Sequence, residues 1–172
     1  METTGNYSGF VAMTIRRAKE PSETAFQAVM RRADNPNQCS AAWEFLVPYC
    51  DITIDRQRLA FALVGAAIAR AKPESDGAAS VGAALRAICS GDPDALEREG
   101  RRLRRLIACE TMTELLPTLR PILRYLQSKG ASIGYERLLR ELIFWNERTR
   151  IEWTRDFYRR NADAVPEEEE VK

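Results

Sequence analysis

Apolar residues recur at spacings of three and four along nearly the whole chain, and no stretch alternates at period two over five residues or more. Amphipathic helices leave that pattern. The fold class it predicts is all-α, with two small helical bundles packed together. From Phe10 to Ala33 the helical spacing is interrupted at "KEPSE" (19–23), where Pro21 breaks one helix or starts the next. "ADNPNQC" (33–39) is a turn cluster, and a short helix over "AAWEFLVPY" (41–49) ends around Pro48. Asp51 or Thr53 is placed to cap a helix from about Ile54 to Ala71, apolar around much of its circumference and therefore central.

"AKPESDGAAS" (71–80) reads as a linker, and "VGAALRAICSGD" (81–92) as a short helix closed by Gly91. Asp92 followed by Pro93 is a strong helix start, opening an element that reaches Cys109. Thr111 and Glu114 have the spacing of a capping box for the next helix, which carries Leu115, Leu116, Leu119, Ile122, Leu123 and Leu126 and stops at Gly130. Pro121 inside it predicts a kink. The last helix is expected from about Tyr135 to Arg160 as one element, about 40 Å long. Residues 1–76 are thus read as an N-terminal bundle, 77–162 as a C-terminal bundle with a basic face, and 163–172 as a disordered acidic tail.

Composition narrows the chemistry. The 172 residues, 45% apolar and 30% charged, suit a globular chain. The longest apolar runs, such as "LAFALVGAAIA", are too short to span a bilayer. The first ten residues lack the pattern of a signal peptide, which makes the cytoplasm the expected compartment. Cys39, Cys50, Cys89 and Cys109 lie too far apart for a zinc knuckle or a redox pair and are read as buried free thiols; with no histidine, the usual metal ligand sets are missing. Glu110 with Glu114 is the notable carboxylate pair and reads as capping. No catalytic residue, metal or cofactor is predicted.

The net charge of +1 hides an uneven layout. The tail holds Asp163 and Glu167 to Glu170, and without it residues 1–162 carry 25 basic against 20 acidic groups. "GRRLRRLIACE" (100–110) places Leu103, Leu106 and Ile107 on one helical arc and Arg101, Arg102, Arg104 and Arg105 on the other. Glu97 and Asp94 can pair with Arg101 and Arg98 at four-residue spacing, but leave Arg102, Arg104 and Arg105 unpaired. Residues 98–124 hold seven arginines against three acids, and residues 137–160 seven against four. Two such helices could form a track for a phosphate backbone. Trp43, Trp145 and Trp153 are expected in the core, with Trp145 the best placed to lie near the basic face. The acidic tail reads first as solubilising, with a second use as a screen over the ridge. The same ridge also fits a helical adaptor docking an acidic protein partner.

"MRRADNP", then "AAWEFLVPY", then the run from "RRLRRLIACETMTELLPTLRP" to "FWNERTRIEWTRDFYRR" follow one another in an order that resembles the CasB family, small subunits of the type I-E CRISPR Cascade complex. The likeness covers about residues 10–160 and is densest over 101–160. It implies a non-catalytic subunit of two helical bundles, working in antiviral defence inside a multisubunit complex with CRISPR RNA and target DNA. The implied partners are a second copy of itself and the backbone and large Cascade subunits, with no membrane and no small-molecule substrate. It also implies stabilisation of the R-loop and its displaced strand through arginine–phosphate contacts. Carried over by position, the nucleic-acid-binding residues are Arg31, Arg32, Arg56, Arg101, Arg102, Arg120, Arg148 and Arg150; the helical wheel adds Arg105 and Arg124. Pro121 stands where a further arginine would have strengthened the ridge, and Glu147 lies beside Arg148.

Overall fold

Helical spacing in the sequence becomes helix throughout the computed structural model, which describes residues 5–159. The interruption at Pro21 separates α1 (Tyr7–Lys19) from α2 (Thr24–Met30), and Asn6 caps α1 by accepting from the Gly9 amide at 2.9 Å. After the Asn-Pro turn, a short 3-10 turn (Cys39–Ala42) leads into α3 (Trp43–Leu46). Then come α4 (Asp55–Ala71), α5 (Val81–Ala87), α6 (Pro93–Ile107), α7 (Met112–Ser128), α8 (Tyr135–Ile143) and α9 (Glu147–Tyr158). The expected tail, 163–172, and Arg160 lie outside the described residues.

The long apolar run at 60–69 is buried along its whole length as the central part of α4, which packs against α1, α2, α3, α7 and α8. Its small residues set those distances: a Cβ on Gly65 would stand 2.6 Å from Met30 Sδ. The buried side chains of both halves form one continuous cluster, in which Phe10, Phe61, Leu85, Leu123, Leu138 and Trp153 are fully covered. Burial of each such side chain contributes about 1.5–3 kcal/mol. Contacts cross residue 76 freely, since α8 lies on both α1 and α4.

Two helix starts match expectation. Asp92 accepts from the Asp94 amide at 3.0 Å, and Thr111 and Glu114 close the capping box of α7. Gly130, at φ +69, follows the end of that helix. The α7 helix runs as one element through Pro117 and Pro121. Both prolines sit on its exposed side, where water can take the released carbonyls.

Four expectations need correction. Asp51 and Thr53 do not cap α4: the Asp51 carboxylate accepts from the Thr53 amide and hydroxyl, and Ile54 stands at the N-cap. The α5 helix stops at Ala87, because Ser90 and Gly91 both take positive φ in the turn that follows. The long last helix is two. Asn146 accepts from the Thr149 amide at 3.1 Å and starts α9 afresh, while Trp145 turns inward between the pieces. Finally, Cys39 is partly exposed, whereas Cys50, Cys89 and Cys109 are buried. Burial pushes the Cys50 thiol up to about 12, with the Asp51 charge acting the same way.

Two outcomes follow. A thiol-reactive probe should modify one cysteine per native chain quickly, Cys39, and all four only after unfolding; rapid labelling of a second would contradict this burial. The α5–α9 contact leaves no room at Gly82, where an added Cβ would meet the Trp153 carbonyl at 2.0 Å. Gly82→Ala is expected to cost about 3 kcal/mol and lower Tm by roughly 6–12 °C in a thermal melt.

Candidate functional site

Advancing about 100° per residue, the exposed arc of α6 starts at Arg104, passes Glu97, Arg101, Asp94, Arg105 and Arg98, and ends at the half-buried Arg102. Both edges are tied to neighbours. Arg104 Nη1 reaches the Tyr158 hydroxyl of α9 at 3.4 Å, and its Nη2 donates to Glu97 at 3.0 Å. Arg102 Nη1 donates to both oxygens of Glu99 at 2.8 and 2.9 Å, and its guanidinium lies 4.1 Å from the centre of the Tyr125 ring of α7. Tyr125 donates its hydroxyl to the same carboxylate at 2.9 Å. Burial raises the pKa of that hydroxyl, and the Glu99 bond and charge add to the effect.

Around α7, Arg120, Arg124 and Tyr125 follow in angular order, so Arg124 stands between the α6 edge and the side occupied by Arg120. Arg120 in turn reaches the turn after α2. Its Nε lies 3.4 Å from Asp34 Oδ2, and its Nη2 donates to the Asp34 carbonyl. Arg70 completes the clamp, donating to the two Asp34 oxygens at 2.7 and 3.2 Å and to the Arg31 carbonyl at 3.0 Å. Arg31 and Arg32 project from this held turn. One basic band therefore runs from the end of α9 across α6 and α7 to the turn after α2.

Along it, Arg31, Arg32, Arg105 and Arg124 are exposed, and their side chains have no ion-pair or hydrogen-bond partner among the described residues. Arg101 is 64% exposed and shares Glu97, at 3.9 Å, with Arg104. The expected Arg101 pairing thus forms loosely, while Arg98 turns to Glu99 at 3.4 Å and not to Asp94. Arg102 and Arg104, expected to be unpaired, are paired.

The remaining predicted residues lie off the band. Arg56 donates to the Ile143 carbonyl at the end of α8, and Arg150 to the Ile107 carbonyl at the end of α6, both at 3.2 Å. Each meets the negative end of a helix dipole and closes a helix terminus. Arg148 is 86% exposed beside Glu152 at 3.1 Å. Trp145 is not at the basic face: it is buried, donates to the Cys109 carbonyl at 3.0 Å and stacks edge-on against Trp153. The exposed tryptophan is Trp43.

Sequence reading missed the two carboxylates that organise the band. Glu99 is 1% exposed and carries a visible signal, because on the α6 wheel it falls between Leu103 and Leu106, inside the apolar arc. Asp34, its side chain 3% exposed, carried no such signal in a segment full of turn-forming residues. Glu114 accepts from the Glu110 and Thr111 amides, so that pair does serve capping. Among the described residues no group of three or more His, Cys, Asp or Glu could hold a metal ion, and no helix is long and apolar enough to cross a membrane.

Removing one partner of a buried ion pair typically costs 3–5 kcal/mol; with Arg70 and Arg120 still partly in water, Asp34→Ala is expected to cost about 2–3 kcal/mol in a denaturant melt. Arg124→Ala should stay within about 0.5 kcal/mol of the parent. Equal effects of the two would show that Asp34 is not the anchor.

Residues 26–158 match the family described as CRISPR-associated protein Cse2. No curated relative matches by sequence. Among solved structures, the chain is similar to a Cse2-family CRISPR-associated protein from Thermus thermophilus, at 20% identity over 90% of this chain and 99% of that one, with a TM-score of 0.70. A structure of CasB, also from Thermus thermophilus, gives 20% identity over the same shares and 0.69. A chain of a CRISPR RNA-guided surveillance complex gives 22% identity over 89% and 91%, and 0.75. These likenesses carry the all-α fold over nearly the whole described length.

Proposed function

Because the chain belongs to the Cse2 family of CRISPR-associated proteins, we propose that it is a non-catalytic small subunit of a type I-E Cascade surveillance complex, with residues 1–76 and 77–162 as its two bundles. In this reading it works beside CRISPR RNA and target DNA, a second copy of itself, and the backbone and large subunits. Its part is to hold the displaced strand of the R-loop through arginine–phosphate contacts, without reading bases. Strand exchange in such complexes is nearly balanced energetically, so modest backbone contacts tip it.

The observation that carries the reading is the continuous arginine band with four exposed, unpartnered guanidiniums at Arg31, Arg32, Arg105 and Arg124. Phosphates arriving there replace water and counterions and break no ion pair. Arg101 joins them with little loss, its partner being 3.9 Å away. Arg102 and Arg120 support the band from beneath, and Arg148 adds an outlying positive charge. Arg56 and Arg150 contribute through the helix ends they close.

Single-stranded DNA titrated against the chain at three salt concentrations tests this. Each phosphate neutralised on a single strand contributes about 0.7 to the log–log salt slope. Replacing Arg31, Arg32, Arg105 and Arg124 together by alanine should flatten the slope by about 2 to 3, with Tm unchanged. An unaltered slope would defeat the phosphate reading; binding of a polyglutamate peptide lost in the same variant would favour an adaptor for an acidic protein.

A further inference from the structure

Helices α6 and α9 run antiparallel, pinned at one end by Arg150 on the Ile107 carbonyl at 3.2 Å and at the other by Arg104 on the Tyr158 hydroxyl at 3.4 Å. Between the pins lies an open groove of about 450 Å³ whose floor is Ile107 and Ile151, with Thr154 and Arg155 along its side and Glu147 at its far end. Arg155 also borders the surface formed with Tyr158 and Arg159, so the two continue into one another. Residues 151, 154, 155 and 158 are spaced three and four apart and share one face of α9. We propose that this groove takes unstacked bases of a single nucleic-acid strand, with the Tyr158 ring as stacking platform and the isoleucine floor beneath the neighbouring base. The proposal rests on the nucleic-acid reading of the arginine band and extends it from phosphates to bases.

The ring is in place before any ligand arrives. Tyr158 is 48% exposed, yet it packs edge-on against the buried Phe157, with ring centres 4.8 Å apart at 85°. Its hydroxyl lies over Gly100, where an added Cβ would stand 3.1 Å away, and is held there by Arg104. A ring fixed in this way loses little rotamer freedom when a base stacks on it. Stacking on an aromatic face is tolerant of sequence, because every base has a π-face, so the groove adds affinity without reading bases.

Charge decides where the phosphates go. Arg104, Arg155 and Arg159 are exposed around the ring. Of the acids near them, Glu97 is shared between Arg101 and Arg104, and Glu152 is taken by Arg148 at 3.1 Å. Asp156 is mostly covered, bonded to Ser80 and Arg137, and meets Arg155 only at 3.4 Å. Asp94 lies ten residues before Arg104, about 15 Å along the α6 axis. The Tyr158 end is therefore positive, and Glu147 makes the other end unsuited to phosphate. Arg104 is also the first residue of the band's exposed arc on α6, so a strand lying on the band reaches the groove directly. An apolar protein side chain would fit the isoleucine floor, but a ring ringed by three guanidiniums suits a π-face carried on an anionic chain.

The test titrates oligothymidylate and an abasic strand of equal length and charge against the full chain, across salt from about 50 to about 200 mM. The parent should bind oligothymidylate roughly tenfold more tightly than the abasic strand. Tyr158→Leu should reduce that preference to about twofold and Tyr158→Phe should keep it, both with the parent's salt slope and Tm. The parent comparison needs no substitution, so it stands even if a variant folds poorly. Equal binding of the two strands with a steep salt slope would overturn the base site and leave the phosphate reading intact. A preference that survives in Tyr158→Leu would overturn the role of the ring. Absence of binding by either strand would overturn both readings, and a leucine–glutamate peptide that bound instead would mark the groove as a dock for an acidic protein.

Discussion

Two buried carboxylates hold a positive surface together. Glu99 and Asp34 are almost wholly covered; Glu99 gathers Arg98 and Arg102 of its own helix, and Asp34 gathers Arg70 of α4 and Arg120 of α7. Glu99 joins α6 to α7 through Arg102 and the Tyr125 hydroxyl, and Asp34 joins α7 to the turn after α2 through Arg120 and to α4 through Arg70. A carboxylate removed from water is costly unless its oxygens are filled. Both are filled by guanidiniums whose far sides still reach solvent. Without these anchors, the seven arginines between residues 98 and 124 would lack the buried counter-charges that offset their mutual repulsion. With them, the excess charge is displayed at fixed spacing.

Arginine suits this arrangement where lysine would not. A guanidinium can bond a carboxylate at one edge and sit over an aromatic ring, as Arg102 does on Tyr125 and Arg17 on Phe26, 4.1 Å from each ring centre. The same side chain can close a helix from a distance, which is what Arg56 and Arg150 do for α8 and α6. The excess of 22 arginines over four lysines therefore has an internal use, separate from any anion outside.

How much of this was legible follows from what periodicity can and cannot carry. Helix starts at Asp92 and Thr111 were readable because caps are local and chemically specific. The division between α8 and α9 was not. Leu138, Leu142, Trp145, Thr149 and Trp153 stay within one arc if the helix is drawn straight through, so the apolar phase is unbroken where the backbone is broken. Asn146 makes the break by accepting from the Thr149 amide three residues on, a choice that composition does not reveal. The arginine band was legible as charge density but not as geometry. Which arginines are spent inward depends on Asp34, a residue 36 positions from Arg70 and 86 from Arg120.

The distinction matters for any ligand of the surface. A paired arginine offers an incoming anion less than its formal charge, because part of its field already ends on a carboxylate and breaking that bond leaves the carboxylate buried and unsatisfied. An unpaired exposed arginine offers nearly all of it at the cost of desolvation. Charge counts along the sequence treat the two alike and place the strongest attraction at Arg101 to Arg105. Geometry shifts the weight outward, to Arg105 and Arg124 and to the turn bearing Arg31 and Arg32, with the paired residues between them serving as the frame that keeps those groups in line.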